Sequence, residues 1–392
     1  MKKKTTMMAL YAGCMAVICA CSENRELSDG FIDEPKELGV NPTMTLAMGT
    51  AREAASTTQF AENTEIAVLA VGSSGKSNYG SGNNYAVYKN ETTDWTVQND
   101  KHIYLTSEVA TIYAVYPHTL VGSAPTGVVT ADTEVEGITT FAGATDAIDT
   151  SNGSKNLITA EKNATNSVNI APGETDYMYA GGKIQPTASN GKATDAPKSS
   201  VDLSMQHALA MVSFRVYKKA DYKGAGHLTK IQMKNKGTLT GTPLKLQQSN
   251  SGQQTTMKIG GGDITLQGTA ADITYTRFIH QKRDDEGDKY YELKVAGGSE
   301  SSTATVPAFG IMLYPIACED ENATTSDIQV IFTVDDTEYP VDIPAAAWAK
   351  GTNSIYSATL AGEGLSLGTV TIAGWTDTTI SNGLNLIEKP KS

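Results

Sequence analysis

What most limits the folds open to this chain is the period of its apolar residues. They recur at every second position or in brief unbroken runs separated by turn residues. Met44, Leu46 and Met48 alternate with Thr45 and Ala47 and end at Gly49. Ile66-Ala67-Val68-Leu69-Ala70-Val71 is continuously apolar, the pattern of a strand covered on both faces. Ile112-Tyr113-Ala114-Val115-Tyr116 meets Pro117, which removes a ladder donor and closes the strand. In His207 to Tyr217 one long strand is expected, with Leu209, Met211 and Ser213 on one face and Ala210, Val212, Phe214 and Val216 on the other. Leu228 to Met233 alternates imperfectly, whereas Met257 with Ile259 and Ile264 with Leu266 alternate cleanly. Tyr291 to Val295 and Ile328 to Val334 continue the series, and no long amphipathic helix or fixed-period repeat accompanies it. Short strands separated by turns predict an all-β chain built from β-sandwiches. At 392 residues two domains are expected. Thr126 to Ser200, rich in Thr, Ala, Gly and Asn, reads as long decorated loops, and the boundary is placed near Gly191 to Ser200.

The N-terminus carries an export signal. Lys2, Lys3 and Lys4 precede an apolar stretch, Thr5 to Ala20, too short to span a bilayer as a helix. It ends in Ile18-Cys19-Ala20-Cys21, which resembles a bacterial lipobox. Residues 1–20 then form a lipoprotein signal peptide and Cys21 takes the lipid. An ordinary signal peptide cut nearby is the competing reading, and Cys14 is a poorer lipidation candidate because its apolar region is too short. The removed segment holds three Lys and no acid, so the formal net charge of −12 becomes more negative still. A chain so acidic lacks the basic face that nucleic acid or anionic headgroups require, and its membrane anchoring would rest on the acyl chains on Cys21. Residues 21–41, polar and acidic, read as a tether. Only Cys21 and Cys318 survive processing, so acylation of the first precludes an internal disulfide, and Cys318 reads as a buried structural residue.

Candidate chemistry fails on context. Ala70-Val71-Gly72-Ser73-Ser74-Gly75-Lys76-Ser77 matches a relaxed phosphate loop, but Asn78 to Asn84 is a poor helix nucleus, and the segment reads as a glycine-rich hairpin loop. Gly224-Ala225-Gly226 reads as a turn, and Asp284-Asp285-Glu286-Gly287-Asp288 as a solvated hairpin tip rather than a calcium loop. His102, His118, His207, His227 and His280 show no ligand spacing, and no catalytic triad is read from the plentiful Ser. No enzyme, metal or cofactor is expected.

Several pieces occur in a shared order: the lipobox at Cys21, Ala51-Arg52-Glu53, Phe60 leading into Ile66 to Val71, Ala114-Val115-Tyr116-Pro117, and Asp176-Tyr177-Met178-Tyr179-Ala180. His207-Ala208-Leu209-Ala210, Leu313-Tyr314-Pro315, Trp348-Ala349-Lys350-Gly351-Thr352-Asn353 with Tyr356, and Val370 to Trp375 follow. Together they resemble the fimbrillin family of Bacteroidales surface pili, in its Mfa-like branch. That resemblance implies two transthyretin-like β-sandwich domains, 42–195 and 196–375, and an extension over 376–392. It further implies an outer-membrane lipoprotein precursor that becomes a subunit of the cell-surface fimbrium and contributes to adhesion. An Arg-specific surface protease would cut after Arg52, Arg25 being less useful because that cut removes no strand. The loss of Met44, Leu46 and Met48 would uncover a groove that a strand from another fimbrial subunit fills. Ile380, Leu384 and Leu386, interrupted at Asn382, form a candidate donor strand, with an ordinary last strand and frayed tail as the other reading. The alternative function is a surface glycan-binding lipoprotein of a polysaccharide-uptake system, which needs an exposed aromatic platform from Trp95, Trp348 and Trp375.

Overall fold

The computed structural model describes residues 37–44, 60–72, 84–91, 94–105, 110–150, 153–161, 167–183, 200–241, 243–282, 289–295, 306–316, 326–343, 348–362 and 364–374. Cys21, Arg25, Leu46, Met48, Arg52, Cys318, Trp375, Ile380, Leu384 and Leu386 lie outside these residues, as do the tip of the 70–84 loop and the acidic run 284–288.

The chain opens with β1 (Gly39–Met44), β2 (Glu65–Gly72), β3 (Tyr85–Glu91), β4 (Asp94–Val97) and β5 (Ala110–Tyr116). Four shorter strands follow, β6 (Glu134–Ile138), β7 (Leu157–Glu161), β8 (Val168–Asn169) and β9 (Met178–Lys183), and then β10 (Ser200–His207). The first sheet has seven strands in the order β1-β10-β9-β5-β2-β3-β4. It curls until β1, one edge, approaches β4, the other, and the right-handed twist of paired strands makes such curling natural. Ile66, Val68 and Ala70 of β2 point into the core that the curl encloses, with Val40, Met44, Tyr88, Ile112 and Met205. Ala67, Leu69 and Val71 point the other way, into a second core shared with the rest of the molecule. The unbroken apolar run is therefore covered on both faces, as its sequence implies.

Beyond His207 come β11 (Ala210–Lys218), β12 (His227–Asn235), β13 (Gln247–Gln248), β14 (Thr255–Lys258), β15 (Ile264–Thr265) and β16 (Ala271–Asp272). Next are β17 (Tyr275–Lys282), β18 (Tyr291–Glu292), β19 (Ala308–Leu313), β20 (Ile328–Val334), β21 (Thr337–Asp342), β22 (Thr352–Ala361) and β23 (Gly364–Gly374). A five-stranded sheet, β23-β22-β11-β19-β8, faces a six-stranded one, β21-β20-β12-β17-β7. Val212, Phe214 and Val216 of β11 meet Ile231, Met233 and Phe332 between them, a sandwich core in which Phe214 and Phe332 stand edge to face with centroids 5.4 Å apart. Met211 turns to the shared core instead. The two faces read from alternation are the two faces observed. In β12 a register shift between Leu228 and Lys230 makes a bulge, which is why the buried residues Leu228, Ile231 and Met233 break strict alternation.

Several expectations shift. The strand expected to run from His207 to Tyr217 is interrupted: β10 ends at His207 and β11 begins at Ala210. Between them Ala208 and Leu209 are fully buried where the chain passes from the curled sheet to the sandwich. Thr126 to Ser200 is not all loop, because β6 pairs with β14, β7 with β17 and β8 with β19. These apolar pieces are short, and partners remote in sequence supply their ladders. Chain order and sheet membership therefore part company around residues 195 and 196: β6 to β8 pair with later strands, while Ser200–His207 belongs to the first sheet. His118–Leu120 forms a short 3₁₀ turn, and no α-helix occurs among the described residues. The molecule is all-β.

Two polar devices fasten the halves. Arg277 and Glu174, both without exposed side-chain area, form an ion pair, and the guanidinium also binds the carbonyls of Phe141, Ala142 and Thr276. Lys350 binds Gly261 O and Asp263 Oδ1 above the ring of Tyr179 in β9. Gly262, at φ +68°, lies so close beneath that a Cβ would collide with the same ring.

Candidate functional site

The described strand starts earlier than the expected Met44 to Met48, and of those residues Met44 alone lies among the described ones. Leu38, Val40, Pro42 and Met44 are buried, whereas Asn41 is exposed. Part of the segment read as a tether is thus strand, a correction of the 21–41 range: Leu38 and Val40 alternate with Gly39 and Asn41, and their apolar side chains gain more by burial than the acidic context before them suggests. Pro42 lies within this strand, and a proline is tolerated at a sheet edge, where no second neighbour needs its missing N–H.

The partner of β1 is β10, in parallel register from Gly39 against Ser200 to Met44 against Met205. In β10 exposed Ser200, Asp202, Ser204 and Gln206 alternate without interruption with buried Val201, Leu203, Met205 and His207. Only Gln206 and His207 pair with β9 on the other side. Ser200 to Met205 therefore have β1 as their one ladder partner among the described residues. That alternation is legible in the sequence, and a boundary near Gly191 to Ser200 conceals its partner.

The start of β1 is held from the opposite flank. Leu38 N donates to Ile103 O at 2.8 Å, Glu37 makes an antiparallel bridge with Tyr104, and Tyr88 Oη donates to Leu38 O at 2.5 Å. Burial, and then the charge of Glu37, push the Tyr88 hydroxyl well above the usual phenol range, so it stays a donor. His102 Nδ1 lies 2.9 Å from Glu37 Oε2, and Asn41 Nδ2 donates to Asp202 Oδ1 at 3.1 Å. Taking β1 away would open a slot floored by Val201, Leu203, Met205, Met178 and Tyr88, with backbone groups of β10 and Ile103 unpaired along its walls.

Arg52 falls in sequence midway between two anchored points. Met44 is buried on one side and Phe60 on the other, where Phe60 packs edge-on against Trp95 with centroids 5.5 Å apart. Trp348 is buried, its Nε1 donating to Tyr356 Oη at 3.0 Å. It forms no exposed platform, and the conjunction of Trp348 with Tyr356 in the sequence is a packing contact. His207 is buried with its Nδ1 2.7 Å from Asp176 Oδ2. No cluster of potential metal ligands occurs among the described residues.

Comparison with known proteins places this architecture. The fimbrillin-like family matches over residues 53–375, and no curated protein matches the sequence. A candidate cell adhesion protein from Bacteroides ovatus has the same fold, at 13% identity and TM-score 0.52, covering 87% of this chain and 98% of its own. A fimbrial protein from Bacteroides vulgatus aligns at 14% identity and TM-score 0.49, over 87% of this chain and 99% of its own. A candidate cell adhesion protein from Bacteroides uniformis aligns at 14% identity and TM-score 0.46, over 88% and 99%. The family consists of structural proteins of the cell-surface fimbrium, not enzymes. Matched from Glu53 through the end of the second-half sandwich, this all-β chain belongs to the fimbrillin-like family.

Proposed function

We propose that the chain is exported as a lipoprotein precursor, anchored in the outer membrane through lipid on Cys21, cut after Arg52 by an Arg-specific surface protease, and joined to other fimbrial subunits by a strand that takes the place of β1. The observation that carries this reading is the ladder of β10. Its residues Ser200 to Met205 have β1 as their one partner among those described, and β1 is an edge strand connected to the rest of the fold through the segment that contains Arg52. Loss of an edge strand leaves the remaining sheet intact while exposing a template for a new one. The extent of the family match agrees with this division, since β1 precedes residue 53 and 376–392 follows residue 375. In this reading the mature subunit begins at Glu53, the tail is available to a neighbour, and adhesion is a property of the assembled fibre.

The test is strand uptake. Purified precursor cut by an Arg-specific protease takes up a fluorescent peptide covering residues 36–46 in place of its own β1, and Arg52→Ala precursor treated alike takes up none. Equal uptake by both, or uptake by neither, refutes the reading. N-terminal sequencing of surface-sheared protein gives Glu53 as the first residue.

A further inference from the structure

The slot beneath β1 also says what kind of strand it takes. This inference rests on the strand-replacement reading above and concerns the identity of the replacing segment. Four consecutive alternate positions, Leu38 just before β1 and Val40, Pro42 and Met44 within it, are buried, and none is polar. The cluster that receives them is made of side chains such as Ile66, Val68, Ile103, Leu203 and Met205. Tyr88 supplies a hydroxyl there, and it is already committed to Leu38 O. The backbone contacts, by contrast, are indifferent to sequence: β10 offers a ladder, Ile103 O takes an N–H, and Tyr88 Oη needs a carbonyl. Selectivity must therefore come from the inward side chains.

This chain's own tail does not meet that demand. With Ile380 in the place of Leu38, Asn382 falls in the place of Val40, and in the reversed direction it falls in the place of Pro42. Sliding by two residues brings in Thr378 or Glu388 and keeps Asn382 inside. Sliding by one residue turns Ser381, Gly383 and Asn385 inward. We propose that the β1 slot is built for a foreign tail, an extended segment with four unbroken apolar residues at alternate positions supplied by a different subunit, and that Asn382 keeps copies of this chain from polymerising with one another. An amide side chain brought into such a core without partners weakens binding by roughly 10- to 100-fold relative to an apolar one. The device resembles other cases in which one polar residue at a core position excludes a wrong pairing.

The experiment uses the full chain carrying Arg283→Lys, so that the one other Arg in the segment between β17 and β18 is not cut, after treatment with an Arg-specific protease. Three fluorescent peptides are offered: 36–46, the native tail 376–392, and the tail with Asn382→Val. Uptake is read by anisotropy. Peptide 36–46 and the Asn382→Val tail should bind, and the native tail should bind at least about 10-fold more weakly than its variant. Native and variant tails binding within about 2-fold of each other would overturn the selectivity while leaving strand replacement standing. Failure of all three, including 36–46, would overturn strand replacement itself and the selectivity with it. In the cut full chain, Asn382→Val should convert a largely monomeric preparation into a ladder of multimers; an already complete ladder with Asn382 in place counts against the proposal.

Discussion

Arg277→Met probes what fastens the connecting segments to the sandwich. The guanidinium donates Nε to Glu174 Oε1 at 2.9 Å and Nη2 to the same oxygen and to Phe141 O. Nη1 reaches Ala142 O at 3.1 Å and Thr276 O at 2.8 Å, and the plane stands 5.2 Å from the Phe141 ring centroid. Methionine preserves much of the length and none of the donors. Removing one partner of a buried ion pair costs about 3–5 kcal/mol, because the remaining charge stays buried. At about 2 °C per kcal/mol for a chain of this size, the melting temperature should fall by about 6–10 °C at neutral pH. The pH dependence is more diagnostic than the drop. Burial pushes the Glu174 carboxyl above its ordinary value even though the charge and hydrogen bonds of Arg277 oppose it. A carboxyl raised in the folded state binds its proton on folding, so the stability it contributes is present at low pH and is lost as pH rises through the folded value. Without Arg277 the main opposing influences vanish and the folded value climbs further. The deficit of the variant should therefore shrink between about pH 7 and pH 5. Adding Glu174→Gln should recover part of the loss at neutral pH. Thermal denaturation of the wild type and the two variants at both pH values is the assay. A deficit below about 1 kcal/mol at neutral pH, or one that does not change with pH, would refute the account.

Two further substitutions test β1 and the junction. Tyr88→Phe keeps the ring in its core and deletes only the bond to Leu38 O, a loss of about 1 kcal/mol; amide exchange across Gly39–Met44 should quicken about 5- to 10-fold, and unchanged exchange would mean that the hydroxyl does not hold the strand. Gly262→Ala combines a φ of +68° with a collision against Tyr179, so it should destabilise by about 1–3 kcal/mol. A wild-type melting temperature would show that the loop is free to move away from that ring.

Local periodicity carried β2, β11 and β20 into view, because each side chain in them answers to one neighbouring face and that preference is written every second residue. The imperfect alternation of Leu228 to Met233 was also informative, since its irregularity is the bulge opposite Val334 and Thr333. What escaped depends on partners remote in sequence. Leu157 to Glu161 is strand because Phe278 to Lys282 lies beside it, and Arg277 finds Glu174 across a separation of 103 residues. No window of ordinary length contains both. The candidate site was half legible: an early strand followed by Arg52 is expected, but its start is hidden because residues 21–41 read as a polar, acidic tether, and its partner because Ser200 falls at the domain boundary expected near Gly191 to Ser200.

The direct passage from β10 through Ala208 and Leu209 into β11 has a mechanical consequence. A segment lodged beside Ser200–Met205 and pulled lengthwise loads its whole ladder in shear, so the bonds resist together instead of peeling one at a time. That load then crosses two fully buried residues, with no slack loop, into a strand gripped by β19 on one side and β22 on the other. From β22 it passes to β23, the strand from which the tail leaves. Tension entering at the slot can thus reach the chain's exit through consecutive strands, and the looser connections around them carry little of it.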